Sequence, residues 1–311
     1  MTAPLTADAV ARSLGLQSEL EALQQYLSEW VSDTNNELRT AIQWQFDGGS
    51  KFFRPFTTFS CYRGVYEGPI PPSLIQASAV VEMFHNVSLI IDDILDHSPR
   101  RRGRDAFHTR FGSLTALMAS GYVVADGYRL LRNDPRAVEL LSELWMRLGV
   151  AECMQWRLRR QVLGIDDWRR IAGEDTGAMF EACACLGTRS DELRAFGHLL
   201  GMLYHGCDDV GDVQGARALG GGGGEDLRDG ILTLPAALAI RDPDVARLFS
   251  SPDPTAEQID AMAVAFASCV PRAEAYLDAL TDEARQAARQ SALNPAPLLA
   301  LVDETRQLAN R

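Results

Sequence analysis

Asp92, Asp93 and Asp96 interrupt a stretch whose other positions, Met83, Phe84, Val87, Leu89, Ile90, Ile91, Ile94 and Leu95, are apolar. On a helix Asp92 and Asp96 share a face and Asp93 stands about 100° round from Asp92, so the carboxylates repel one another. In an apolar setting such groups give up their charge unless a cation sits among them. The basic triplet Arg100, Arg101, Arg102 follows at once, and a second acidic set, Asp208, Asp209 and Asp212, closes another apolar run more than a hundred residues downstream. Two such sets suit a hard divalent cation such as Mg²⁺, which takes a few carboxylate oxygens, keeps waters and is commonly shared with a substrate phosphate. With arginines beside them they describe a metal-diphosphate site. The plain alternative is a solvated acidic helix end neutralised by the triplet; a lone DDxxD would favour that, and the second copy argues against it.

The elements that must position these residues read as helices throughout. Helical periodicity covers 7–31, then roughly 34–46, 55–66, 73–97, 113–132, 135–164, 167–187 and 189–213, with 100–106 as a loop. Asp47-Gly48-Gly49-Ser50 is a break with helix-start chemistry, which puts Lys51 and Arg54 at a helix entrance where backbone N–H groups favour anions. Gly68 to Pro72 is a rigid connector, and Gly220 to Gly224 reads as a flexible loop. Helix resumes at Thr233, and 242–311 reads as shorter helices. No alternating strand pattern occurs, so the expected class is all-α, with one domain over 1–311.

Composition narrows the function classes. With 46% apolar and 23% charged residues the chain is an ordinary globular sequence, and a net charge of −12 argues against a general nucleic-acid binder. No run of 18 apolar residues marks a membrane span, and the N-terminus lacks a basic stretch followed by an apolar one, so a cytoplasmic protein is expected. Six scattered cysteines read as free, buried thiols. Lys51 is the only lysine among the thirty basic residues.

In order and spacing, the motifs resemble the trans-isoprenyl diphosphate synthases (polyprenyl synthetases). The residues that carry this are Gly49-Ser50-Lys51-Phe52-Phe53-Arg54-Pro55, His85, DDILDHSPRRRG from Asp92, His108-x-x-Phe111-Gly112 and DDVGD from Asp208, within about 45–240. The resemblance implies an isoprenoid-synthase-type helical bundle round a central cavity, the C-terminal helices 242–311 completing it, and a homodimer. It implies Mg²⁺, three ions, held by Asp92, Asp93, Asp96, Asp208, Asp209 and Asp212. The metals would bind an allylic diphosphate, with Arg101 in direct contact and Thr176 on the mid-chain helix matching a family binding position. Lys51, Arg54, His85 and Arg102 match the positions that hold isopentenyl diphosphate. His85 lies two turns before Asp92 on the same face, which favours a binding role over a satisfied core histidine.

Product length in such an enzyme is set below the first motif. Ser88 and Phe84 stand one and two turns before Asp92, with Val87 adjacent, and a turn of ~5.4 Å is about one isoprene unit. Val87 and Ser88 are small, so Phe84 is the expected floor, for a product near C20 with C15 second. Several positions depart from the family pattern: Asp175 and Ile231 stand where lysines are expected, another expected lysine falls near the glycine run, His205 replaces a glutamine and Ser50 a glycine. Arg217 and Arg228 are the candidate replacements. The departures keep open a class I terpene cyclase or other prenyl transferase on the same fold, and a non-catalytic partner subunit. A cyclase has no need of the Lys51, Arg54, His85, Arg102 set, and a silent subunit has none of six intact aspartates.

Overall fold

A computed structural model describes residues 6–215 and 225–310 of the chain. Gly220 to Gly224 and Arg217 lie outside them. The described residues form α1 (Ala7–Leu14), α2 (Gln17–Asp33), α3 (Asn36–Phe46), α4 (Phe53–Val65), α5 (Pro72–Leu95), α6 (Phe107–Leu130), α7 (Pro135–Leu158), α8 (Ile165–Ala172), α9 (Ala178–Thr188) and α10 (Arg194–Val213). After them come α11 (Glu225–Asp229), α12 (Leu234–Ala239), α13 (Pro243–Phe249), α14 (Ala256–Ser291) and α15 (Ala296–Arg306). The fold class is all-α, as the periodicity predicts.

Where the elements differ from expectation, the cause is local backbone chemistry. The first expected helix is two, because Gly15 adopts a left-handed conformation (φ 65°) and its N–H caps α1. α6 starts at Phe107, and Gly112 (φ 82°) breaks it where the sequence reading places its start. α7 stops at Leu158, short of 164, with Arg160 left-handed just beyond (φ 60°). The helix expected over 167–187 contains a π turn, Gly173–Gly177, between α8 and α9. Residues 256–291 make one long helix, with Pro271 inside it, where shorter ones are expected.

The 100–106 loop is a two-stranded hairpin, β1 (Arg100–Arg101) with β2 (Arg104–Asp105). Its turn residues Arg102 and Gly103 both have positive φ (52° and 76°), the turn whose twist matches paired strands. Of the six cysteines Cys153 is exposed, contrary to expectation, and the others are buried.

Buried apolar side chains from Val10 to Ala309 make one contiguous cluster. α5 is long and apolar enough to cross a membrane by length and composition, but it is the central helix, covered by α2, α4 and α6. α10 is held by α9, the π turn and α14. α5 and α10 each end in one of the acidic sets.

Candidate active site

Asp93 and Asp92 occupy the last turn of α5, where the unsatisfied carbonyl end of the helix disfavours negative charge, and Asp96 is its C-cap. Asp93 is buried; Arg101 Nε donates to its Oδ1 at 2.8 Å, while Oδ2 has no partner. Asp96 accepts from Arg159 Nη2, at the end of α7, at 2.6 Å. Burial pushes the Asp92 carboxyl well up, and the nearby carboxylates of Glu152 and Asp175 push it further, against Arg101.

The second set ends α10. Burial and the neighbouring Asp209 raise Asp208 to about 6, opposed by His205 and Lys51. Burial, Asp208 and Asp209 raise Asp212 to about 7. Oδ1 of Asp208 and of Asp212 are both buried without partners. Asp209 is tied down: its Oδ2 accepts from Trp168 Nε1 at 2.8 Å and from the Leu234 backbone N–H, at the start of α12, at 2.7 Å.

Two further carboxylates couple to both sets. Asp175 raises Asp92 and Asp209 alike, and Asp226, pushed to about 7 by burial first, feels Asp209, Asp212 and Asp96. Glu152, at about 7 through burial, Asp175 and Asp96, belongs to the same acidic wall. Among the described residues no three ligating side chains close round one point. Three buried carboxylate oxygens without partners, on groups whose charge burial disfavours, nonetheless fit a hard cation that takes its remaining ligands from a phosphate and water.

A basic group gathers from α4 and the residues just before it, α5 and the hairpin. Lys51 is lowered to about 8 by burial, with Asp208 opposing and Arg102 assisting, and its Nζ is buried without a partner. Burial, then Arg54, Arg102 and Arg101, hold His85 well below its ordinary value, so its imidazole is neutral, with Nδ1 unpartnered. The Arg54 guanidinium stands 5.8 Å from the Phe180 ring centroid and 5.9 Å from that of Tyr204, with Nε on the Met179 sulfur. Arg102 reaches back to the Gly49 carbonyl. Beneath them, buried Glu82 accepts from Ser50 Oγ at 2.6 Å and feels both Arg54 and Arg102.

Of the residues expected from sequence to bind substrate, Lys51, Arg54, His85 and Arg102 gather on this basic side. Arg101 and Thr176 belong to the acidic one: Thr176 Oγ1 lies 2.9 Å from His205 Nδ1 and 3.1 Å from Asp175 Oδ2. Phe84 is fully buried, its ring centroid 5.2 Å from Tyr128 and 5.5 Å from Trp145. Val87 is buried, and Ser88 is half-buried with Oγ on the His85 carbonyl. Sequence reasoning does not pick out Glu82, Glu152, Arg159 or Asp226. The signal for His205 is its place one turn before Asp209; Glu152 and Arg159 sit in no motif.

The sequence profile described as polyprenyl synthetase matches residues 35–265. A nonaprenyl diphosphate synthase of Mycobacterium tuberculosis is 29% identical, over 91% of this chain and 90% of that protein. A geranylgeranyl diphosphate synthase of Methanosarcina mazei is 27% identical, over 75% and 76%. The crystal structure of a polyprenyl synthase from Caulobacter crescentus, complexed with calcium and isoprenyl diphosphate, superposes with a TM-score of 0.87 at 21% identity, covering 100% of this chain and 99% of that one. That last likeness speaks to the fold, the all-α isoprenoid-synthase bundle. On the profile match, which spans most of its length, the chain belongs to the polyprenyl synthetase family and is an enzyme of the transferase class.

Proposed function

We propose that the chain is a Mg²⁺-dependent trans-prenyltransferase that condenses an allylic diphosphate with isopentenyl diphosphate to a product near C20, with C15 second. The observation that carries this is the division of two adjacent hairpin residues: Arg101 pairs with the acidic Asp93, while Arg102 sits among Lys51, Arg54 and His85. One acidic and one basic group side by side suit two diphosphates, one brought with metal and one without.

Bound Mg²⁺ would supply Lewis-acid stabilisation to the leaving diphosphate. Asp92, Asp93, Asp96, Asp208 and Asp212 would hold it, and Asp209 has only Oδ1 to offer. Arg101 places a guanidinium fork where the allylic diphosphate departs. Lys51, Arg54, Arg102 and the neutral His85 anchor the other diphosphate so that its double bond faces the ionised carbon. Burial of both sides excludes water that would quench the cation. The proton lost afterwards goes to the released diphosphate, so no side chain need be a strong base.

Phe84, backed by Tyr128 and Trp145, is the proposed floor of the hydrocarbon pocket, and Phe84→Ala should lengthen the product. The exposed apolar positions of α6 are the proposed homodimer interface, and the proposed location is the cytoplasm.

Purified protein with Mg²⁺ and dimethylallyl, geranyl or farnesyl diphosphate, each with and without isopentenyl diphosphate, tests the reading. Elongated diphosphates only when both are present support it. Hydrocarbon or terpene alcohol from one substrate alone means the cyclase, for which Asp175 in a lysine position speaks; silence in every tube means a partner subunit. Asp92→Ala and Asp208→Ala should each abolish nearly all turnover with the fold intact, and full activity in either discards the metal assignment.

A further inference from the structure

The acidic group has many more carboxylates than the cations beside it, Arg101 on Asp93 and His205 beside Asp209. Asp92, Asp93, Asp96, Glu152, Asp175, Asp208, Asp209, Asp212 and Asp226 crowd it, while the chain's one lysine acts on the second set alone, on Asp208 and Asp212. A substrate carrying its own negative charge needs cations there besides metal.

Arg159 is placed to be one. It caps α7, and its side chain is only 17% exposed. Nη2 holds Asp96 at 2.6 Å and Nη1 lies 3.9 Å from Asp229 of α11, so one guanidinium spans from the first acidic set to the segment after the second. Its Cζ stands 4.1 Å from the Trp156 ring centroid, a cation–π contact that supports the guanidinium from one side. Nε is buried and has no partner, so one donor of the guanidinium is left unused by the protein itself.

The next residue fastens the same segment. Arg160 N–H donates to the Gly230 carbonyl at 2.8 Å and its guanidinium to that of Arg228. Gly230 is left-handed (φ 68°), and a Cβ there would run into the Arg160 side chain. The end of α7 and residues 228–230 are thereby locked together beside Asp96.

We propose that Arg159 is a substrate-binding residue for the allylic diphosphate: it neutralises Asp96 in the free protein and turns its fork to the diphosphate oxygens when metal takes that carboxylate. This rests on the two-diphosphate reading above, and binding is measured separately from turnover so that the two can fail separately.

The experiment is calorimetric titration with geranyl diphosphate plus Mg²⁺ and, separately, with isopentenyl diphosphate, on wild type, Arg159→Gln, Arg159→Lys and Arg159→Gln/Asp175→Lys. Arg159→Gln should weaken geranyl diphosphate at least tenfold and leave isopentenyl diphosphate within twofold. Arg159→Lys should lose less. Asp175→Lys, which reverses a charge acting on the same Asp92 and Glu152, should recover part of the loss. Geranyl diphosphate binding unchanged in Arg159→Gln overturns the assignment, as does an equal loss for both ligands. If Arg159→Gln does not fold, Arg159→Lys and wild type carry the comparison, and equal affinities overturn it. Wild type that binds geranyl diphosphate but yields no elongated product removes the synthase reading and leaves the Arg159 result standing; wild type that binds no allylic diphosphate removes both.

Discussion

At the scale of the residue, the six aspartates are not equivalent. Asp209 has given one oxygen to Trp168 and Leu234, while Asp93, Asp208 and Asp212 each keep a buried oxygen with no partner. Trp168→Phe removes a hydrogen bond to a buried charged group and should cost about 1.5–3 kcal/mol in denaturant unfolding; an unchanged midpoint means that Leu234 alone holds Asp209. The raised carboxyls also set a pH dependence. Asp208 and Asp212 titrate near 6 and 7 when folded and near ~3.9 when unfolded, so the folded state binds protons more tightly. Their contribution to stability is present at pH below ~3.9 and is lost as pH rises through 6 to 7, because the buried groups must then ionise. A cation at those oxygens removes that penalty. The melting temperature gained on adding Mg²⁺ with inorganic diphosphate should therefore be larger at pH 8 than at pH 6, and a gain that does not vary with pH places the ion elsewhere.

At the scale of the element, the helices that carry the motifs were the most legible. α5 is readable because its apolar positions are too dense for a surface helix, and the motif at its end follows from that. The hairpin was not, since Arg100 to Asp105 has no alternation and its pairing depends on the left-handed turn at Arg102 and Gly103. The π turn at Gly173–Gly177 was hidden for a different reason: it adds to a helical repeat without ending it. That turn places Asp175 and Thr176 beside His205, and it works because α10 comes very close. A Cβ on Gly201 would lie 2.6 Å from the Thr176 carbonyl oxygen and 2.8 Å from Gly177 Cα. Gly201→Ala should thus cost about 1–3 kcal/mol by overpacking and raise KM for the allylic substrate more than for isopentenyl diphosphate. Equal stability and unchanged KM would mean that the two elements part without consequence. Asp226 and Arg159 reach the site only through tertiary packing, so no local pattern marks them.

At the scale of the whole molecule, the exposed apolar side chains are concentrated on the two helices that back the proposed hydrocarbon pocket. Leu114, Leu117 and Met118 of α6 are 76%, 51% and 59% exposed at positions that share one face, and Met146 and Val150 of α7 stand out likewise. Such a concentration marks an interaction surface. A homodimer closing on α6 would press on the helix that also carries Gly127 and Tyr128 against Phe84, where a Cβ on Gly127 would lie 2.5 Å from the Phe84 ring. Assembly and product length would then be coupled through one helix. Light scattering should give wild type twice the 34.1 kDa of one chain, and Leu117→Asp should shift it toward a single chain. The same variant should broaden the product distribution while leaving KM for isopentenyl diphosphate unchanged, because Lys51, Arg54 and His85 sit on α5 and at the entrance of α4, not on α6. A wild-type chain that runs as a monomer sinks the interface; a monomeric variant with an unaltered product distribution leaves the interface and removes the coupling.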